Sequence, residues 1–158
     1  MSPEETGNHS ISDCKPYTGK RYYGKYTGTI IGNQDPLLKG RILALVPSVT
    51  VFVPSTWIEP CSAFAGFGVG FFAVPPIDAS VWVEFIEGDP NYPVWTGGYW
   101  DEKDLLAIPP SSRPMIRSDQ VMLRILSGTT ITMDNALGVT IETSIGTKVI
   151  VNSSGISI

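Results

Sequence analysis

A chain of 158 residues holds one ordinary domain and an appendage, which excludes a second large domain. It is 42% hydrophobic and 16% charged, with 16 Gly and 13 Pro, too apolar for disorder and too rich in helix breakers for a bundle, so an all-β protein is predicted. A net charge of −4 argues against polyphosphate or anionic lipid as a ligand, because both are recognised through Lys and Arg.

Met1 to Lys20 is polar and aperiodic, broken by Gly7, Pro16 and Gly19, and reads as an arm that orders only against something else. It lacks the apolar core of a secretory signal, and no apolar run is long enough to span a bilayer, so synthesis and folding in the cytoplasm without a signal peptide are expected. In that compartment Cys14 and Cys61 are predicted to stay reduced, with Cys61 a small buried residue. From Tyr22 the texture is β. Tyr22 to Ile31 and Arg41 to Val46 are rich in β-branched and aromatic residues, and Asn33, Asp35 and Pro36 turn the chain between them. Further strands are predicted at Val49 to Val53, Trp57 to Cys61 and Phe71 to Val74, the last after the glycine-rich Ala65 to Gly70. Val81, Val83 and Phe85 alternate with Trp82 and Glu84 as a half-buried strand, and Gly88-Asp89-Pro90 turns it into Pro93 to Tyr99. So many short strands over residues 21–101 suit a small closed barrel.

Asp101 to Ile108 is the one credible helical turn, with an aspartate cap and Pro109 and Pro110 as its stop. Residues 102–118 then form a linker. Residues 119–158 change again, into short β-rich segments punctuated by Gly128, Gly138, Gly146 and Gly155. The alternating pairs Ile131 and Met133, Val139 and Ile141, Val149 and Val151, Ile156 and Ile158 form an apolar stripe, continued by Val121, Leu123 and Ile125. Thr130, Thr132, Asp134, Thr140 and Glu142 lie on the outside, as does Ile150 beside Lys148 and Asn152. An antiparallel meander completing a sandwich with the barrel is one reading. A repeating β-solenoid fits the spacing better. One narrow stripe with two open edges is poorly buried in a single chain, whereas copies wrapped round a common axis bury the stripe and pair the edges. Ile131, Met133, Val139, Ile141, Val149 and Val151 are therefore the predicted core of an oligomer.

No catalytic, cofactor-binding or metal-binding set is expected. His9 is the sole histidine and lies in the polar arm, and Cys14 and Cys61 have no companion ligand. Glu84, Glu87 and Asp89 are explained by a strand and its turn. Gly66 to Gly70 lacks the GK[ST] ending and the following helix that a phosphate loop needs. Tyr22, Tyr23, Tyr26, Phe71 and Phe72 could stack bases, but no basic groove accompanies them, and alternating aromatics in strands are more often core.

The stretches TGTIIGNQDPLLKGRILALVPS (Thr27 to Ser48), WIEPCSAFAGFGVGFFAVPP (Trp57 to Pro76) and VWVEFIEGDPNYPVWTGGYWD (Val81 to Asp101) resemble the OB-fold domain of baseplate spike proteins of contractile phage tails, type VI secretion and extracellular injection systems. The carriers are Asn33, Asp35, Pro36 and Gly40-Arg41, then Gly70-Phe71-Phe72 with Pro75-Pro76, then Gly88-Asp89-Pro90 with Pro93 and Gly97. The tail is similar to the start of that family's triple-stranded β-helix. The resemblance implies an OB-fold five-stranded barrel followed by a short triple-stranded intertwined β-helix, in a homotrimer that pierces a target envelope when a sheath contracts. It also implies a separate baseplate hub protein, a PAAR-type tip protein contacting Ile156 and Ile158, only transient contact with the target membrane, no nucleic acid, and assembly into a virion-like or extracellular injection particle. The alternative is an OB-fold module that binds an oligosaccharide or a nucleic acid strand.

Overall fold

The computed structural model describes residues 18–50, 55–106 and 118–158, which fall into two units dividing at Trp100 and Asp101. His9, Cys14, most of the N-terminal arm, Phe52 and Val53, and the Pro109 to Arg117 linker lie outside the described residues.

The described residues of the first unit form seven strands, β1 (Tyr26–Gly32), β2 (Leu43–Leu45), β3 (Glu59–Pro60), β4 (Ala65–Gly66), β5 (Val69–Gly70), β6 (Ser80–Phe85) and β7 (Pro93–Tyr99). Five of them form one sheet in the order β2-β1-β6-β7-β3, antiparallel except for the parallel pair β3 and β7. An antiparallel bridge between Ile42 and Ile58, with N–H to O=C distances of 3.2 and 2.8 Å, ties the entry of β2 to the entry of β3. The ring order is that of the OB fold. Two bulges provide the curvature such a sheet needs: pairing slips a residue at Ile31 in β1 and at Thr96 in β7, where Gly97 takes φ of 147°. Period-two alternation then aims one face inward, and Ile30, Ile42, Ala44, Val46, Ile58, Val81 and Val83 make the core. Tyr26 and Phe85 pack on its margin, their rings 5.5 Å apart.

Two predicted strands differ. Val49 lies in a turn, because the N–H groups of Val49 and Thr50 both donate to the Val46 carbonyl after Pro47. Phe71 to Val74 is not a strand: Phe71 N–H closes the base of the β4–β5 hairpin on the Phe64 carbonyl at 3.1 Å, and Pro75 and Pro76 offer no donors beyond. The glycine-rich stretch is itself that hairpin, turning at Phe67 and Gly68, with Gly68 at φ of 70°. Cys61 is exposed rather than buried: it ends β3 after Pro60, with its N–H donating to the Trp95 carbonyl at 2.9 Å.

The second unit opens on the helix α1 (Glu102–Leu106), begun by a reciprocal cap: Glu102 N–H donates to the Asp101 carboxylate, and Asp101 N–H donates to that of Asp104. It continues as β8 (Gln120–Arg124), β9 (Thr130–Asp134), β10 (Gly138–Glu142), β11 (Lys148–Asn152) and β12 (Gly155–Ser157). Each strand pairs antiparallel with the next, so within one chain the repeat is a meander rather than a solenoid coil. Short Gly- and Asp-containing turns favour this local pairing: the Asp134 carboxylate accepts the Ala136 and Leu137 N–H groups, and Gly128 and Gly146 take positive φ. Gly138 is different in kind. Its φ is 78°, and a Cβ there would drive into the Val151 carbonyl oxygen across the ladder. Gly138→Ala is expected to lower the stability of this unit by at least about 1–2 kcal/mol, seen as earlier loss of β signal on heating. An unchanged melting curve would mean that β10 and β11 are not this close.

Candidate functional site

Among the described residues, no group of three or more His, Cys, Asp or Glu side chains is placed to hold a metal. Four cations of the barrel are engaged within it. Lys25 bonds Glu84, the guanidinium of Arg21 donates to the Glu87 carbonyl, Lys20 sits 5.1 Å from the Tyr22 ring centroid, and Arg41 is held by Asp35.

The Asp35–Arg41 pair is the most developed polar feature. The Asp35 side chain is 3% exposed and that of Arg41 14%, and Arg41 Nη2 lies 2.6 Å from Asp35 Oδ1. The same carboxylate accepts the backbone N–H groups of Leu37, Lys39 and Arg41, at 3.0, 2.8 and 3.3 Å. Arg41 and these donors hold the Asp35 carboxyl well below the usual carboxylate range, against the opposing effect of its burial, and Asp35 in turn raises Arg41. The pair fixes the β1–β2 loop, and Leu38, at its outer turn, is held at φ of 54° with its side chain in solvent.

The candidate site that dominates the molecule is an interaction surface. Cross-strand registers align Val121, Met133, Val139, Val151 and Ile156 in one row, and Leu123, Ile131, Ile141 and Val149 in a second. Both rows are on one face of the meander. All six residues read from the sequence as an oligomer core, Ile131, Met133, Val139, Ile141, Val149 and Val151, are therefore brought together. That face is open: Val139 is 37% exposed, Met133 48% and Ile156 72%. Ile158 follows β12 and is almost fully exposed. The opposite face carries Met122, Thr132, Thr140, Ile150 and Ser157 in line. It is better covered, and Thr140, expected on the outside, is only 9% exposed, flanked by Thr132 and Ile150. Its hydroxyl has no hydrogen-bond partner.

Sequence reasoning missed a second apolar surface. Phe64, Phe67, Phe71 and Phe72, on and beside the β4–β5 hairpin, are half to fully exposed, so Phe71 and Phe72 are not core. Tyr22 and Tyr26 do pack together, with rings 5.9 Å apart, while Tyr23 is exposed. The signal that could have found this surface is the run Cys61 to Ile77, which contains no charged residue at all.

Residues 26–100, just under half the chain, match the family described as the type VI secretion system/phage-baseplate injector OB domain. A stretch of 43 residues is 44% identical to the actin cross-linking toxin VgrG1 of Vibrio cholerae serotype O1, and it covers 27% of this chain and 4% of that protein. The chain thus spans only a small fraction of that relative, whose named activity is a property of that protein.

Proposed function

We propose, from the premise that residues 26–100 are an OB domain of the type VI secretion and phage-baseplate injector family and that the chain is VgrG-like in this region, that the protein is the structural spike at the centre of a contractile baseplate. It acts as a homotrimer, joins a separate hub protein, and is driven through a target envelope when the sheath contracts, touching the membrane only in passing. Its role is mechanical and not catalytic. The observation that carries this reading is the open apolar face of the meander, two aligned rows on one side of a sheet whose other side is better covered. Monomeric soluble proteins rarely leave so large an apolar surface in water. Three such faces turned to a common axis bury one another, and strands exchanged between copies at the sheet edges would complete an intertwined β-helix, a section stiff through its interstrand hydrogen bonds. Exposed Ile156 and Ile158 are proposed as the seat of a PAAR-type tip protein. The particle is proposed to work outside the cell that makes it; no helix among the described residues is long and apolar enough to cross a membrane.

Light scattering on the purified chain is expected to give three times 17.1 kDa. A folded monomer at micromolar concentration would sink the reading in favour of a binding module for an oligosaccharide or nucleic acid strand, to which the engaged barrel cations lend no support.

A further inference from the structure

The two lateral sides of the meander, where its strands turn back, are built differently. On one side stand the β8–β9 and β10–β11 turns, which repeat one another bond for bond. The N–H groups of Ile125 and Gly128 donate to the Thr129 and Ile125 carbonyls, and those of Thr143 and Gly146 to the Thr147 and Thr143 carbonyls. The two turns stack, since a Cβ added at Gly128 would lie 3.4 Å from that of Ser144. Leu126 and Ile145 stand on them almost fully exposed. On the opposite side the β9–β10 and β11–β12 turns are each capped from the preceding strand end, by Asp134 and by Asn152. Leu137, in the first of these, is more than half exposed.

Strand length says how many copies such a sheet can close with. Each of β8 to β11 has five residues, so the sheet is about 17 Å wide at about 3.3 Å per residue. Packed sheets lie about 10 Å apart, which places each one about 5 Å from the axis they share. Three faces about 17 Å wide, joined as a triangle, lie that same distance of about 5 Å from its centre, whereas four would stand roughly 8 Å away and leave the centre empty. Two would bury the apolar rows but leave both lateral sides bare.

In the triangle each corner brings one lateral side of a copy against the opposite side of the next, an unlike contact that closes after three. Because consecutive strands lie about 4.8 Å apart and turn on alternate sides, the turns of the two sides alternate in height. The turn carrying Leu137 is therefore level with the middle of the stacked pair that carries Leu126 and Ile145.

We infer that at each corner Leu137 of one copy seats between Leu126 and Ile145 of the next, a seam separate from the apolar rows at the axis and from the open edges of β8 and β12. The inference rests on the trimer proposed above and names the side chains that fix its number.

The test uses the full chain with Cys14→Ser and Cys61→Ser, adding Leu137→Cys, Ile145→Cys and Leu126→Cys singly, and Leu137→Cys paired with each of the other two. With a mild oxidant both paired variants are expected to run as covalent trimer on a denaturing gel. Each single variant stays monomeric there, because equivalent residues occupy different corners. A particle that is trimeric by light scattering yet bridges in neither pair overturns the seam and leaves the trimer standing. Dimers by light scattering, with bridging in a single variant, show a twofold contact between like sides and overturn seam and trimer together, as does a monomer.

Discussion

Replacing Ile141 by aspartate is expected to abolish assembly, converting the proposed trimer into monomer or aggregate, whereas Asn152→Asp leaves the oligomer intact. Ile141 sits mid-strand in the apolar row with Leu123, Ile131 and Val149, and in the proposed trimer three copies of that row converge. The substitution would gather three carboxylates in an apolar environment, each costing several kcal/mol if ionised and unpaired. No basic residue lies in either apolar row to neutralise them. Asn152 is exposed beyond the other apolar row, and its side-chain oxygen accepts the Ser154 N–H, a bond that aspartate preserves. Light scattering and thermal melts of the two variants check the contrast. Equal loss of assembly in both would show that the aligned face is not the trimer core.

Asp35→Ala is expected to be the most damaging single change in the barrel. It would leave the Arg41 guanidinium largely buried without its counter-charge and three backbone N–H groups without an acceptor. Breaking one partner of a buried pair typically costs about 3–5 kcal/mol, which for a unit of this size lowers Tm by roughly 12–40 °C. The acid dependence has a definite sign. The Asp35 pKa is lower folded than its ordinary 3.8, so the folded state releases this proton more readily than the unfolded chain. The stabilisation is complete above about pH 4 and is lost as pH falls through the depressed folded value. Wild type and Asp35→Ala should therefore differ by a constant amount from neutral pH down to about pH 4 and converge below it. A difference that instead grew on acidification would mean that the carboxyl is not held ionised by Arg41.

The residues that announced this fold were those whose local and global roles agree. Val81 and Val83 alternate with half-exposed neighbours and are fully buried in β6, and the Gly88-Asp89-Pro90 turn stands where its chemistry demands, with Gly88 at φ of 77° and the Asp89 carboxylate accepting the Asn91 N–H. The alternation beyond Gly128 likewise placed the six predicted oligomer-core residues on one face. Phe71 and Phe72 misled because β-propensity measures a half-buried pleated surface, and theirs lies on a finger that no other strand covers. Thr140 misled because polarity suggested solvent, while its cross-strand neighbours cover it. Asp35 was legible as a turn residue, yet its burial and its pairing with Arg41 depend on how the loop closes, and six positions of sequence separation do not fix that. Meander and solenoid share one periodicity, because alternation records which face a side chain takes and not which chain supplies the neighbouring strand.

The pairing pattern also sets an order of events on the ribosome. The barrel must join Tyr26 to Val83 and Glu59 to Val94 before its ring closes, long-range pairings that form slowly. The meander asks each strand to find only its immediate successor, the kind of closure that takes microseconds once both strands have emerged. Synthesis proceeds at about 5–20 residues per second, so the slow half has a head start of seconds over the fast one. The open apolar face is thus the last part of the described chain to be made and among the quickest to form, so a chain leaving the ribosome presents it fully built.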